Sequence, residues 1–74
     1  MLEVKRTFQN DVGTVYELPD LQVKYVWIDT PQRPFITLQP MSGDYDHYAD
    51  SGVVTWYGDE ARAIRNKLEA ELDS

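Results

Sequence analysis

The chain has 74 residues, 42% of them hydrophobic, with seven Lys and Arg against thirteen Asp and Glu, a net charge of −6, and no cysteine. That length holds one domain with a small core, and the lack of Cys excludes a disulfide framework or a thiolate metal site. The acidic balance argues against a conventional nucleic-acid binder, because neutralising phosphates takes surplus Lys and Arg.

The first half reads as strands. Leu2 to Phe8 alternates imperfectly, with Leu2, Val4 and Phe8 on one face and Arg6 breaking the pattern. Gln9 to Gly13 carries turn chemistry, since Asn and Asp tolerate left-handed backbone and Gly13 has no Cβ to clash. Thr14 to Leu18 resumes β-branched and aromatic character, so residues 2–18 are expected to form a hairpin. Pro19 ends that strand because it has no N–H for a ladder. Leu21 to Ile28 is the strongest strand signal, with Val23, Tyr25 and Trp27 on one face and Val26 and Ile28 on the other. Apolarity on both faces predicts a central strand covered at least in part on each side.

A loop with two prolines, Thr30 to Pro34, precedes a fourth strand, Phe35 to Gln39, closed by Pro40. Met41 to Gly52 is polar, acidic and bounded by glycine, and reads as a long loop. Val53 to Tyr57 predicts a short fifth strand, and Gly58-Asp59 breaks it, with Asp59 or a near neighbour as the expected helix N-cap. In the helix that follows, to about residue 72, Ala61, Ile64, Leu68 and Leu72 make one narrow apolar stripe to set against the sheet. Arg65 and Lys67 are spaced to pair with Glu69 and Glu71 one turn on.

The expected fold class is therefore α+β: residues 1–74 form a single compact domain, strand-rich over 1–57, with a small antiparallel sheet of four to five strands and one C-terminal helix packed on it, at about 59–72. Its core is expected to draw on Leu2, Val4, Phe8, Val15, Leu18, Val23, Val26, Trp27, Ile28, Phe35, Ile36, Leu38, Val54, Trp56, Ile64, Leu68 and Leu72. A core that uses so many of the large apolar residues leaves little for a deep ligand cavity, which favours a surface function.

Charge is unevenly spread. Residues 34–61 hold Asp44, Asp46, Asp50, Asp59 and Glu60 and neither Lys nor Arg. Folding alone gains nothing from collecting like charges. Tyr45, Tyr48, Trp56 and Tyr57 lie in or beside this segment, and aromatic anchors ringed by charge are a common interface composition. The expected contact set is Asp44, Tyr45, Asp46, Tyr48, Asp50, Asp59 and Glu60, facing a basic surface on a larger protein.

Chemistry is less evident. Asp44, Asp46 and Asp50 resemble a fragment of a calcium loop, but Ala49 stands where an EF-hand loop has its glycine, so no metal site is expected. His47, in a polar loop, lacks a partner nucleophile in the sequence pattern. The glycine signature of dinucleotide binding, the phosphate loop and the zinc-protease helix motif are all missing; the chain is not expected to be an enzyme or to bind a cofactor. Lys5, Arg6, Lys24 and Arg33 could share a sheet face with Tyr16 and Tyr25 as a stacking platform for single strands, but Glu3, Glu17, Asp20 and Asp29 dilute it.

These features point to a small acidic interaction protein, an inhibitor or accessory factor that binds a basic, nucleic-acid-binding protein and imitates nucleic-acid charge, as phage and mobile-element inhibitors do. That step is analogy from size and charge. The alternative is a structural homodimer built through a sheet edge or face. Direct nucleic-acid binding and membrane insertion are not expected: no apolar run approaches the ~18 residues of a span and no basic-then-apolar leader opens the sequence. The expected location is the cytoplasm.

Overall fold

A computed structural model of the protein describes residues 3–41 and 54–72. Five strands, β1 (Lys5–Gln9), β2 (Gly13–Leu18), β3 (Val23–Ile28), β4 (Phe35–Pro40) and β5 (Thr55–Tyr57), are followed by one helix, α1 (Gly58–Glu71). The strands form a single antiparallel meander in the order β1-β2-β3-β4-β5. β3, the segment with apolar residues on both faces, is the middle strand. The fold is α+β, as the sequence predicts.

Strand side chains alternate between faces, so the pairing registers define rows across the sheet. On the side that α1 covers, one row is Gln9, Thr14, Trp27, Ile36 and Trp56, and the next is Arg6, Tyr16, Tyr25 and Leu38. The core forms between these rows and the helix: Val4, Tyr16, Leu18, Trp27, Ile36, Ala61 and Leu68 are buried together, with Val23, Tyr25, Trp56, Ile64 and Leu72 packed around them. The predicted apolar stripe of the helix is thus the one that meets the sheet.

The connections are tied locally. In the β1–β2 turn, Asn10 Oδ1 accepts hydrogen bonds from the Val12 and Gly13 N–H groups at 2.8 and 2.9 Å. This is the Asx geometry that makes Asn a turn residue. Thr30 Oγ1 closes the β3–β4 loop by donating to the Arg33 carbonyl at 2.7 Å. β5 passes into α1 at Gly58, whose φ of 61° lies in the left-handed region and whose N–H donates to the Pro34 carbonyl at 2.8 Å.

Several expectations need correction. The register of β1 against β2 shifts between Arg6 and Phe8. This bulge (an extra residue that reverses the facing of everything after it) puts Arg6 on the helix side and sends Phe8 to the other face, where it is 49% exposed instead of in the core. Val54 is likewise exposed. Tyr16, absent from the expected core, is fully buried. Leu21 belongs to a 3-10 turn, Pro19–Leu21, and is exposed, so β3 begins only at Val23. Gly13 does not have a positive φ; it is needed because a Cβ there would stand 2.4 Å from the Trp27 carbonyl oxygen of β3. Asp59 itself does not cap α1; its near neighbour Tyr57 holds the N-cap position, without a side-chain hydrogen bond. The stacking platform does not exist, because Tyr16 and Tyr25 lie on the helix side whereas Lys5 and Lys24 share rows with residues of the opposite face.

Candidate functional site

The face of the sheet turned away from α1 has its own rows. Gly13, Ile28, Phe35 and Tyr57 form one, Phe8, Val15, Val26, Thr37 and Thr55 the next, and Lys5, Glu17, Lys24 and Gln39 the third. Two adjacent rows carrying most of the apolar side chains therefore give way to a polar and charged one, and the middle of the face is closely covered: Val15, Lys24, Thr37 and Gln39 are all buried. Phe8, Val12 and Tyr57 are 49%, 57% and 44% exposed. Phe35 and Tyr57 rings pack at 5.9 Å between centroids, and the Arg33 guanidinium lies 4.6 Å over the Tyr57 ring. Thr37, within this face, is buried and satisfied: its hydroxyl donates to the Val54 carbonyl at 3.4 Å and accepts from Thr55 Oγ1 at 3.1 Å.

Part of this face forms an open, mostly apolar groove of about 290 Å3, lined by Phe8, Val12, Gly13, Val15, Ile28 and Phe35, with Asn10, Thr37 and Gln39 also in its wall. The close approach of β2 to β3 dictates the glycine, because a Cβ there would stand 2.4 Å from the Trp27 carbonyl oxygen and 3.1 Å from the Ile28 Cδ1.

A second depression, of about 110 Å3, lies between the sheet and the C-terminal half of α1 and includes Asp11, Tyr16, Asp29, Arg65 and Glu69. Asn10, Gly13 and Thr14 line both depressions, so they meet across the β1–β2 turn. Within the second, the Tyr16 hydroxyl donates a short hydrogen bond to Glu69 Oε2. Arg6 Nη1, from β1, contacts both Glu69 carboxylate oxygens at 3.1 Å. Burial, and then the neighbouring Glu69 carboxylate, push the Tyr16 phenol up to about 12. The Tyr16 hydrogen bond, with help from Arg6 and Arg65, holds Glu69 below its ordinary value. Glu69 therefore pairs with β1, not only along its own helix as the sequence spacing suggests. The Arg65 guanidinium lies 5.0 Å over the Trp27 ring. The arrangement pins the end of the helix to the sheet. It holds a buried phenol in its neutral form, with no nucleophile beside it.

Of the residues expected to meet a partner, Asp44, Tyr45, Asp46, Tyr48 and Asp50 lie outside the described residues. Asp59 and Glu60 are exposed in the first turn of α1. Asp59 is paired with Arg62 of the same helix at 2.7 Å, so part of its charge is answered within the chain. Among the described residues, no group of three or more His, Asp or Glu is placed to hold a metal ion. The sequence reading missed Phe8, Val12, Gly13 and Tyr57 as a shared surface. The signal available was Arg6, whose break in the apolar alternation marks the bulge that turns Phe8 outward.

Protein-family models, curated proteins and solved structures were compared with the chain, and none matches it.

Proposed function

We propose that the chain is a small acidic interaction protein that binds a basic surface on a larger protein, acting as an inhibitor or accessory factor, and that the helix-free face of its sheet makes the contact. The observation that carries this reading is the exposure of Phe8 and Val12 at an apolar groove, with Tyr57 exposed on the same sheet face, in a chain of net charge −6. Exposed apolar surface of this kind, framed by polar groups, is what interfaces bury. The charge supplies long-range attraction to a cationic partner and raises the association rate.

A homodimer through the same face is the second reading, favoured by the same exposed residues. It would bring two chains of charge −6 together, which mutual repulsion opposes.

Affinity capture from the source cell at low and high salt, with wild type beside a Phe8→Ser/Val12→Ser variant, tests the proposal. Both residues are exposed, so the variant should keep its fold. The expected result is a basic protein retained by wild type, released at high salt and lost from the variant. Retention that is equal in the two, or sedimentation showing a tight dimer of the chain alone, would overturn it.

A further inference from the structure

The two depressions that meet at the β1–β2 turn differ in character, and the difference specifies an occupant. On one side are the apolar walls of the groove, Val12 and Ile28 among them. Their immediate chain neighbours, Asp11 and Asp29, line the other side. The Asp29 N–H donates to the Val12 carbonyl at 2.8 Å, which fixes these two segments side by side at one end of the sheet.

Glu69, the third acid of the second depression, is answered by Arg6 at 3.1 Å and by the field of Arg65. Asp11 and Asp29 are both exposed, and among the described residues neither carboxylate has an ion-pair or hydrogen-bond partner. The apolar groove thus has walls within a residue of two unanswered negative charges.

We infer that this end of the sheet, the groove beside Gly13 together with Asp11 and Asp29, receives a peptide segment of the partner in which an apolar side chain is flanked by lysine or arginine. The apolar side chain enters the groove between Val12, Ile28 and Phe35. The adjacent cation reaches over the turn to Asp11 and Asp29. A neutral apolar segment would leave the carboxylates unused, and a second copy of this chain would present the same two acids to them. The inference rests on the proposed function and gives that function its recognition chemistry.

The test is a titration of isotope-labelled protein with a synthetic peptide of alternating lysine and leucine, followed by amide chemical shifts. Lysine–serine and glutamate–leucine peptides of the same length serve as comparisons. The inference predicts saturable shifts at Val12, Gly13, Ile28 and Asp29 with the lysine–leucine peptide alone. It also predicts that an Asp11→Asn/Asp29→Asn variant, altered only at exposed carboxylates, binds that peptide roughly threefold to tenfold more weakly at low salt. Equal shifts from the lysine–serine peptide, undiminished binding by the variant, shifts confined to α1, or no saturable shift would each overturn it. So would a dimer of the free chain that covers Val12 and Phe35. If capture of a basic protein depends on Phe8 and Val12 while the peptide results fail, the broader proposal stands and this recognition mode falls.

Discussion

Tyr16 and Glu69 join the sheet to the helix through a hydrogen bond whose two ends shift in opposite senses, so the contact has a distinct pH signature. Glu69 is held below its ordinary value of 4.5. Its contribution is therefore complete above 4.5 and is lost as pH falls below that value through the depressed folded one. Tyr16 is raised from 10.0 to about 12, so its contribution is complete below 10.0 and is lost as pH rises through about 12. Replacing Tyr16 by Phe should cost about 1–2 kcal/mol near neutrality. It should also flatten the acid limb, because the phenol is the largest cause of the Glu69 shift, and remove the tyrosine part of the alkaline limb. Urea denaturation across pH reads all three effects. A second residue-level outcome concerns Gly13: Gly13→Ala places a methyl 2.4 Å from the Trp27 carbonyl oxygen and should destabilise by about 1–3 kcal/mol, seen as a lower urea midpoint. Tyr16 escaped the sequence reading because a hydroxyl argues for the surface unless its partner is known. That partner, Glu69, lies 53 positions away, beyond any local pattern.

The elements were more legible than their details. β3 is a central strand because Val23, Tyr25 and Trp27 face α1 while Val26 and Ile28 face the other way, and both sets are visible in the sequence. The helix stripe of Ala61, Ile64, Leu68 and Leu72 is likewise encoded at helical spacing and packs as expected. Boundaries fared less well. Pro19 does end β2, at Leu18, but it also opens a 3-10 turn capped by Gln22 with φ 56°, and the start of β3 moves from Leu21 to Val23 in consequence. The β5–α1 junction depends on Gly58, where open space would accommodate a Cβ but the backbone conformation would not. Gly58→Ala should therefore cost about 1 kcal/mol, and Gly58→Asn less, since Asn visits left-handed backbone more readily. Thermal melts of the two variants check the ranking. The bulge in β1 was signalled by Arg6 but not decoded, because a strand sequence shows that alternation fails without showing which side each residue takes afterwards.

For the molecule as a whole, charge acts in two directions. The ion pairs described here, Lys5–Glu3, Arg6–Glu69 and Arg62–Asp59, are solvent-accessible to differing degrees and such pairs contribute little. Repulsion at net charge −6 should dominate. Added salt is thus predicted to raise the melting temperature of the isolated chain modestly, by screening, while weakening its complex with a basic partner. Opposite signs in the two measurements would fit a charge retained for binding; the same sign would not. The uneven charge was visible in the sequence, but the apolar face was not, because it is assembled from five strands whose registers no local pattern sets. No described helix is long and apolar enough to cross a membrane.

Amide hydrogen exchange of the chain, free and then bound to the basic protein it captures, tests the central claim most directly. Binding is predicted to slow exchange in the β1–β2 turn, in β3 around Ile28 and at the start of β4, with the exposed side of α1 unchanged. Protection concentrated on α1, with none at Val12, Gly13 or Ile28, would contradict it.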